Sequence, residues 1–457
     1  MKVVIIGGSD AGVSAALRAR ELVPSAQVTM ILADRYPNFS ICGLPFLLNG
    51  EVRDWTALAH RTLPEIEAAG IDVWTSYSAK HIDVARQRLT LLRDGRHAEM
   101  DYDRLVIATG ARPVLPPIRG IDLSGVHVLH TMDECFALDE RLKAAKAVTI
   151  VGGGYIGVEM ADALTHRGIE VTLVERLPNI LSTVDPEIGT AVQQVLEQHG
   201  VRVRTAVTVE AIEENNAGLL VKGASLSQTA DAVLVVVGVR PNSELGATAG
   251  AALGTGGALR VNQRMETTLP NVYAAGDCGE TWHRFLARNV YMPLGTTAHK
   301  QGRVAGANAV GGDMVFQGVV GTQAVKIFDR VAAGTGLTED RARQEGHAVS
   351  VVDVTLPDHK AYYPGAKELR VRIIGDRETG VLLGGQLLGS WGSEVAKRID
   401  TLATAVFHRM KVAELLDLDL SYTPPVSSPW DPLQMAAQRW TSTWEAERSS
   451  PLEIVPS

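Results

Sequence analysis

The sequence predicts an α/β fold: two Rossmann-like nucleotide-binding domains followed by a C-terminal α+β domain. Three observations carry this reading. Two units of strand, glycine-rich turn, helix and strand stand in one chain, with their leading glycines, Gly7 and Gly152, 145 positions apart. Each unit is closed by a later apolar strand that runs into a Gly-containing turn. From about Gln317 the pattern changes to alternating strands followed by a long helix. A chain of 457 residues exceeds one ordinary core, which agrees with two or three domains.

Taken in order, Lys2 to Ile6 is a β-branched run, then comes a Gly-rich turn. Ser14 to Leu22 has helix-forming composition, and Val28 to Leu32 is a second strand. The second unit runs through Val148 to Val151, Gly152-Gly-Gly-Tyr-Ile-Gly157, a helix to about Arg167, and Val171 to Val174. Asp103 to Ala111 closes the first unit and Ala232 to Asn242 the second. Arg112-Pro-Val-Leu-Pro-Pro117 is stiff and lacks backbone donors at its prolines, as suits a crossover between domains. Pro270 to Gly276 reads as a return to the first domain. Farther on, Leu369 to Ile374 and Val381 to Leu388 are strands, and Glu394 to Phe407 is a helix. The prolines of Thr423 to Pro432 predict an extended, non-helical segment.

Composition narrows the function classes. Hydrophobic residues at 46% and charged residues at 21% describe a globular chain, and a formal charge of -8 gives nucleic acid or anionic lipid nothing to hold. The N-terminal apolar run is broken by Gly7 and Gly8 too early for a signal sequence. No apolar run approaches the roughly 18 residues of a membrane span. The three cysteines, Cys42, Cys135 and Cys278, form none of the close pairs that disulfide frameworks or zinc sites use. A reducing, cytoplasmic setting and no metal site are expected.

Gly152-x-Gly154-x-x-Gly157 follows a strand and opens a helix. Its glycines allow a tight turn and let backbone N–H groups approach a pyrophosphate at the helix N-terminus. Tyr155, Ile156 and Glu159 are counted with it as cofactor-binding positions. Glu175 ends the next strand, where an acid accepts hydrogen bonds from the ribose 2′-OH of NADH. Arg176 follows and can meet a 2′-phosphate, so NADH is preferred and NADPH stays open. The first fingerprint, Gly7-Gly8-Ser9-Asp10-Ala11-Gly12, keeps its outer glycines but has Ser9 in the middle. Its second strand ends in Ile31, Leu32 and Ala33. Only Asp34 is near enough to serve as the ribose acid, and it reads equally as a turn residue that starts the next loop.

Cys42 lies between the two fingerprints in Asn38-Phe-Ser-Ile-Cys42-Gly-Leu-Pro-Phe46 with no nearby second cysteine. With it come Ile107-Ala-Thr109-Gly110, Gly238-Val-Arg-Pro241-Asn, Ala275-Gly276-Asp277-Cys278, Pro293-Leu-Gly-Thr-Thr-Ala-His299-Lys-Gln-Gly-Arg303 and Lys397-Arg-Ile-Asp400. Over nearly its whole length the chain resembles the FAD-dependent pyridine nucleotide-disulfide oxidoreductases. Within them it resembles the single-cysteine branch that holds coenzyme A disulfide reductase, NADH oxidase, NADH peroxidase and persulfide reductase. The resemblance implies an FAD domain of residues 1–112 and 243–316, an NAD(P)H domain of 113–242 and a C-terminal dimerisation domain of 317–457. It also implies cofactor contacts from Thr109, Gly110, Gly238 and Gly276, with Asp277 on the ribityl chain of FAD and Pro293, Leu294, Thr297 and Ala298 lining the flavin.

By the same resemblance, Cys42 faces the flavin, receives its electrons and is regenerated by a second reduction, a chemistry that needs a thiolate. Leu47 occupies the place of the second cysteine in two-cysteine relatives, and Cys135 and Cys278 are expected to be packing residues. Asp10 stands where oxidases and peroxidases of the branch carry a proton-transferring His, and a carboxylate can move protons there. Tyr362, Tyr363 and Tyr422 resemble tyrosines that reach the cysteine from the second chain of a homodimer, as proton donors or as interface packing. Arg18, Arg20, Asn38, His299 and Arg303 fall at substrate positions. Glu21 reverses a charge at the coenzyme A phosphate position, and Ile41 offers no hydrogen bond to a pantetheine amide. The expected activity is NAD(P)H-dependent reduction of a small disulfide, persulfide or polysulfide, with coenzyme A disulfide leading. The alternatives are an oxidase or peroxidase, a metal or metalloid reductase, and an NADH-sensing flavoprotein acting through a protein partner.

Overall fold

The computed structural model describes residues 1–216 and 218–449, with the side chains of 447–449 left out of the description, so the expected domain's last residues, 450–457, lie outside it. The chain divides into two compact units. The first holds Met1–Lys146, Ala211–Leu220 and Thr229–Val319, and the second Ala147–Glu210, Val221–Gln228 and the chain from Val320 onward.

The first unit is built on a five-stranded parallel sheet in the order Val272–Ala274, Arg104–Ile107, Lys2–Ile6, Gln27–Ile31, Ile71–Trp74. Register is set by the apolar ends of the strands: Ile6 pairs with both Ile31 and Ile107. Val3 to Ile6 and Leu105 to Ile107 are all buried, as parallel strands covered on both faces require. The crossover helix Asp10–Leu22 buries Ala11, Val13, Ala15, Ala16 and Ala19 and packs on the helix Gly295–Ala309. The two backbones nearly touch: a Cβ on Gly302 would lie 2.2 Å from the Ala11 oxygen, and one on Gly306 2.1 Å from that of Ala15.

The helix begins at Asp10, four residues before the expected Ser14. Gly12, which reads in sequence as part of a turn, sits inside its first turns because any Cβ there would stand 2.0 Å from the Gly7 carbonyl oxygen. The proline-containing stretch after Ala111 forms a short strand, Ala111–Pro113, antiparallel to Val239–Pro241. Thr109 and Asn242 lock its base: Thr109 Oγ1 donates to the Asn242 carbonyl at 2.6 Å, and Asn242 Nδ2 donates to the Thr109 carbonyl at 3.0 Å.

In the second unit, Ala147–Val151, Glu170–Val174 and Arg202–Arg204 form a parallel sheet covered by the helices Tyr155–His166 and Pro186–Gln198. Its C-terminal part is a five-stranded antiparallel sheet ordered Gln323–Ile327, Arg330–Gly336, Leu382–Ser390, Glu368–Asp376, Val349–Pro357. The helix Val395–Phe407 packs on it, as does Pro432–Ser449, whose Trp440 is wholly buried and donates Nε1–H to the Ser350 carbonyl at 2.9 Å. The proline-rich segment expected to be extended instead makes a turn: the amides of Val426 and Ser427 both donate to the Thr423 carbonyl, since the fixed φ of Pro424 and Pro425 also suits a tight turn. Among the described residues, no helix is long and apolar enough to cross a membrane.

Candidate active site

In the first unit, the fingerprint turn opens a groove. Gly7 has φ 120°, and a Cβ on it would collide with the Ala108 oxygen at 2.0 Å; one on Gly8 would strike the Leu32 side chain. Only glycine lets these two loops meet. Around the turn, Ser9, Ala33 and Asp34 are exposed, although they follow fully buried strands. Thr109 and Gly110 at the end of one neighbouring strand, and Asp277 after another, are half-open. Pro293 and Leu294 line the approach to the helix Gly295–Ala309, while Thr297 and Ala298 are buried in its first turn.

Gly276, at φ 79°, keeps its α-carbon near the Ala11 and Ala298 side chains, drawing three predicted cofactor positions together. Gly110, at φ 67°, and Gly238, at φ 112°, have nothing within 4 Å of an added Cβ, so both border open space. A groove floored by backbone at the start of two long helices fits a dinucleotide phosphate. Burial, with the Asp10 carboxylate adding to it, pushes Asp277 up to about 6. FAD therefore fits the residues present.

Asp34 accepts from the Tyr36 amide at 2.9 Å, closing a turn at the strand end. Although Asp34 is exposed to solvent at the surface, the protein packed around its carboxyl desolvates and raises it, the Tyr36 amide opposes this, and Asp133 adds to the rise. Beside it lies an aromatic cluster that sequence reading missed. Tyr36, Trp55 and Phe136 meet edge to face with ring centroids 5.4–6.0 Å apart, and Arg35 lies over Tyr36 while pairing with Asp133. No spacing rule joins residues so far apart in the chain.

Cys42 is exposed, in the turn Ile41–Gly43 that runs on into the short helix Leu44–Leu48. Cys135 and Cys278 are fully buried: burial pushes the Cys135 thiol up to about 12 and raises that of Cys278, which leaves both as packing residues. Of the positions expected at the substrate, Arg18, His299 and Arg303 lie on the two facing helices Asp10–Leu22 and Gly295–Ala309, while Arg20 and Asn38 are engaged by other segments. Arg18 pairs with Glu21 at 2.7 Å, so the residue that departs from the family pattern is its partner. Arg20, two positions on and so on another face of the helix, donates to the carbonyls of Pro24, Ala26 and Ala69. His299 Nδ1 lies 2.8 Å from Ser14 Oγ on the facing helix, and Arg303 is exposed one turn farther along. Asn38 is only 4% exposed and its side chain is spent on Asp10.

The second unit carries the other fingerprint. Gly152, at φ 117°, donates its amide to the Val174 carbonyl; Gly154 is exposed with open space beyond it; Gly157 is buried in the helix. Glu175 accepts from the amides of Gly153, at 2.6 Å, and Leu177, at 2.7 Å, which anchors it at the edge of the turn. Tyr155 and Ile156 are half-buried at the helix start. Glu159, one turn in, is pushed up to about 7 by burial and then by Asp162. Arg204 ends the adjacent strand opposite Val174, and its carbonyl accepts from the Glu175 amide at 2.8 Å. Its strand thus runs beside the Glu175 turn, a neighbourhood that only strand register reveals.

Tyr362, Tyr363 and Tyr422 are 73%, 41% and 43% exposed, so all three are presented to the outside of this unit. Desolvation, and after it the neighbouring Tyr362 phenol, raises Tyr422. Arg398 ties their two segments together, donating to the carbonyls of Asp358 at 2.6 Å and Val426 at 3.2 Å.

Residues 1–302 match the family model described as pyridine nucleotide-disulphide oxidoreductase, and 322–432 match the dimerisation domain of the same family. A protein from Methanocaldococcus jannaschii named NADH oxidase is 34% identical over 96% of this chain and 98% of its own. One from Pyrococcus abyssi named NAD(P)H sulfur oxidoreductase (CoA-dependent) is 36% identical over 95% of this chain and 97% of its own. The solved structure of a NAD-dependent persulfide reductase from A. fulgidus superposes with a TM-score of 0.94 at 37% identity, covering 98% of this chain and 84% of that one.

Proposed function

Because the chain belongs to the pyridine nucleotide-disulphide oxidoreductases, which use FAD and NAD(P)H, we propose that it reduces a small disulfide, persulfide or polysulfide at Cys42, with coenzyme A disulfide the leading acceptor. The single observation that carries this is Cys42 itself, exposed in a loop beside the first fingerprint while the other two cysteines are sealed in the core. The names of its relatives support a sulfur acceptor: the P. abyssi protein is named a sulfur oxidoreductase and the A. fulgidus protein a persulfide reductase.

FAD, when bound, would relay one electron pair per turnover from NAD(P)H to the sulfur. The Cys42 thiolate attacks one sulfur of the acceptor, forming a mixed disulfide and releasing the other half as a thiolate that takes up a proton. The electron pair from NAD(P)H then cleaves the mixed disulfide, restoring the Cys42 thiolate and releasing the second half as a thiolate that takes up the other proton. The phenols of Tyr362, Tyr363 and Tyr422, from the second chain of a homodimer, supply or steady the proton on the leaving sulfur. NADH is the preferred donor because Glu175, held to the turn by the Gly153 amide, ends the strand where the fingerprint expects the ribose acid, while Arg176 leaves NADPH usable. The proposal includes the division into FAD segments 1–112 and 243–316, an NAD(P)H domain 113–242, a dimerisation domain 317–457 and a cytoplasmic setting.

The test is anaerobic NADH titration of the parent and Cys42→Ser, followed by turnover with coenzyme A disulfide, polysulfide, peroxide and oxygen. Sulfur-acceptor turnover should vanish in Cys42→Ser while reduction of the flavin by NADH persists. Full activity of Cys42→Ser with every acceptor would falsify the thiol mechanism, and a parent active only with oxygen or peroxide would replace the sulfur reading with the oxidase one.

A further inference from the structure

We propose that Asp10 and Asn38 form a latch that positions the Cys42 loop against the nucleotide turn, making Asn38 a positioning residue and not a contact to substrate. The proposal rests on Cys42 being the redox sulfur. Asn38 is 4% exposed and sits at φ 51°, in the left-handed region that asparagine tolerates better than most residues. It bonds in three directions. Its amide donates to the Gly8 carbonyl at 2.7 Å, its carbonyl accepts from the His60 amide at 2.8 Å, and its Nδ2 donates to Asp10 Oδ1 at 3.2 Å. A side chain so enclosed offers little surface to an incoming ligand.

Asp10 is well placed as the fixed end. It opens the 13-residue helix Asp10–Leu22, and its second oxygen, Oδ2, lies 3.2 Å from where a Cβ on Gly295 would stand, at the first residue of the helix Gly295–Ala309. The carboxylate is thus seated between the starts of the two long helices that frame the groove. At its other end the Cys42 loop is held by Leu58. The Ser40 amide donates to the Leu58 carbonyl at 2.7 Å, and Gly43 packs so tightly that a Cβ would stand 2.5 Å from Leu58 Cδ2. Cys42 lies between these anchors, four residues beyond Asn38. The Asp10–Asn38 bond, with a carboxylate as acceptor, is a side-chain tie of the loop to the fingerprint beside the shorter backbone bond from the Asn38 amide to Gly8.

The experiment uses the FAD-loaded protein and the variants Asn38→Ala, Asp10→Ala and Asp10→Asn, with FAD content measured by absorbance. The readouts are the rate at which iodoacetamide alkylates Cys42 after reduction, with Cys42→Ser as the blank, and the long-wavelength absorbance of a thiolate lying against the flavin. Asn38→Ala and Asp10→Ala should each change the alkylation rate about tenfold, equivalent to about 1.4 kcal/mol, and lose most of that absorbance. Asp10→Asn keeps an amide oxygen to accept from Asn38 but loses the charge, and should fall between the parent and Asp10→Ala. Parent-like rate and absorbance in Asn38→Ala at full FAD content would overturn the latch, as would an Asp10→Asn that falls as far as Asp10→Ala. If Asp10→Ala loses FAD, Asn38→Ala decides alone. Alkylation reports loop position whether or not the thiol turns over, so failure here is separable from failure of the Cys42→Ser test.

Discussion

Replacing Arg372 by Met should destabilise the C-terminal unit strongly. The guanidinium is 6% exposed and surrounded by four carboxylates: Asp185 at 2.7 Å, Glu339 at 2.6 Å, Asp353 at 3.2 Å and Glu187 at 3.5 Å. Asp185 is 2% exposed and precedes the helix Pro186–Gln198, so the substitution strands a buried carboxylate among other negative charges. Removing one member of such a set costs about 3–5 kcal/mol. Asp185 keeps the bond it accepts from the Glu339 amide at 2.9 Å and can take up a proton, which places the loss near the lower end, about 3 kcal/mol. At about 2–4 °C per kcal/mol for a unit of this size, the transition falls by roughly 6–12 °C in calorimetry at pH 7.

The pH dependence supplies a sign that packing loss alone would not give. Burial already raises the Asp185 carboxyl, and Arg372 opposes that rise, so deleting the cation raises it further. The folded variant then binds protons that the unfolded chain releases, and its deficit should narrow as pH is lowered from 7 toward 5. A shift below about 2 °C, or a deficit that widens on acidification, would refute the reasoning.

Two more outcomes are expected. Glu175→Gln removes the anchored charge at the ribose position while Arg176 remains; steady-state kinetics should show KM for NADH rising about tenfold, near 1.4 kcal/mol, with KM for NADPH unchanged or lower. A fall in both would count against that assignment. Glu159 is pushed from 4.5 to about 7, mainly by burial, so in nucleotide-free protein its contribution to stability is present below about pH 4.5 and lost as pH rises through about 7. Tm measured against pH should therefore flatten over that window in Glu159→Gln, and an unchanged slope would assign the dependence elsewhere.

The strand, turn and helix units were legible because the signals are local: β-branched runs, glycines and an acid at fixed offsets. The strands around residues 369–374 and 382–388 and the long helix after Glu394 appear where periodicity puts them, with ends differing by a residue or two. The start of the first crossover helix was misjudged because Gly12 is a turn residue by propensity and a packing residue by contact with Gly7. The substrate side was least legible. Arg20, read as a ligand through its position in a motif, is engaged by carbonyls from two separate loops, and Arg204 becomes relevant only once its strand lies beside Glu175.

By itself, the sequence determined the fold class and the two nucleotide fingerprints, since each depends on residue type at short spacing, and it singled out Cys42 as the candidate redox cysteine. The tertiary structure decided what surrounds those residues. It sealed Cys135 and Cys278, left Cys42 exposed, turned Asn38 inward onto Asp10 and brought Tyr362 to Tyr422. Exposure and hydrogen-bond direction depend on segments distant in the chain meeting in space, and no local pattern encodes which of them will meet.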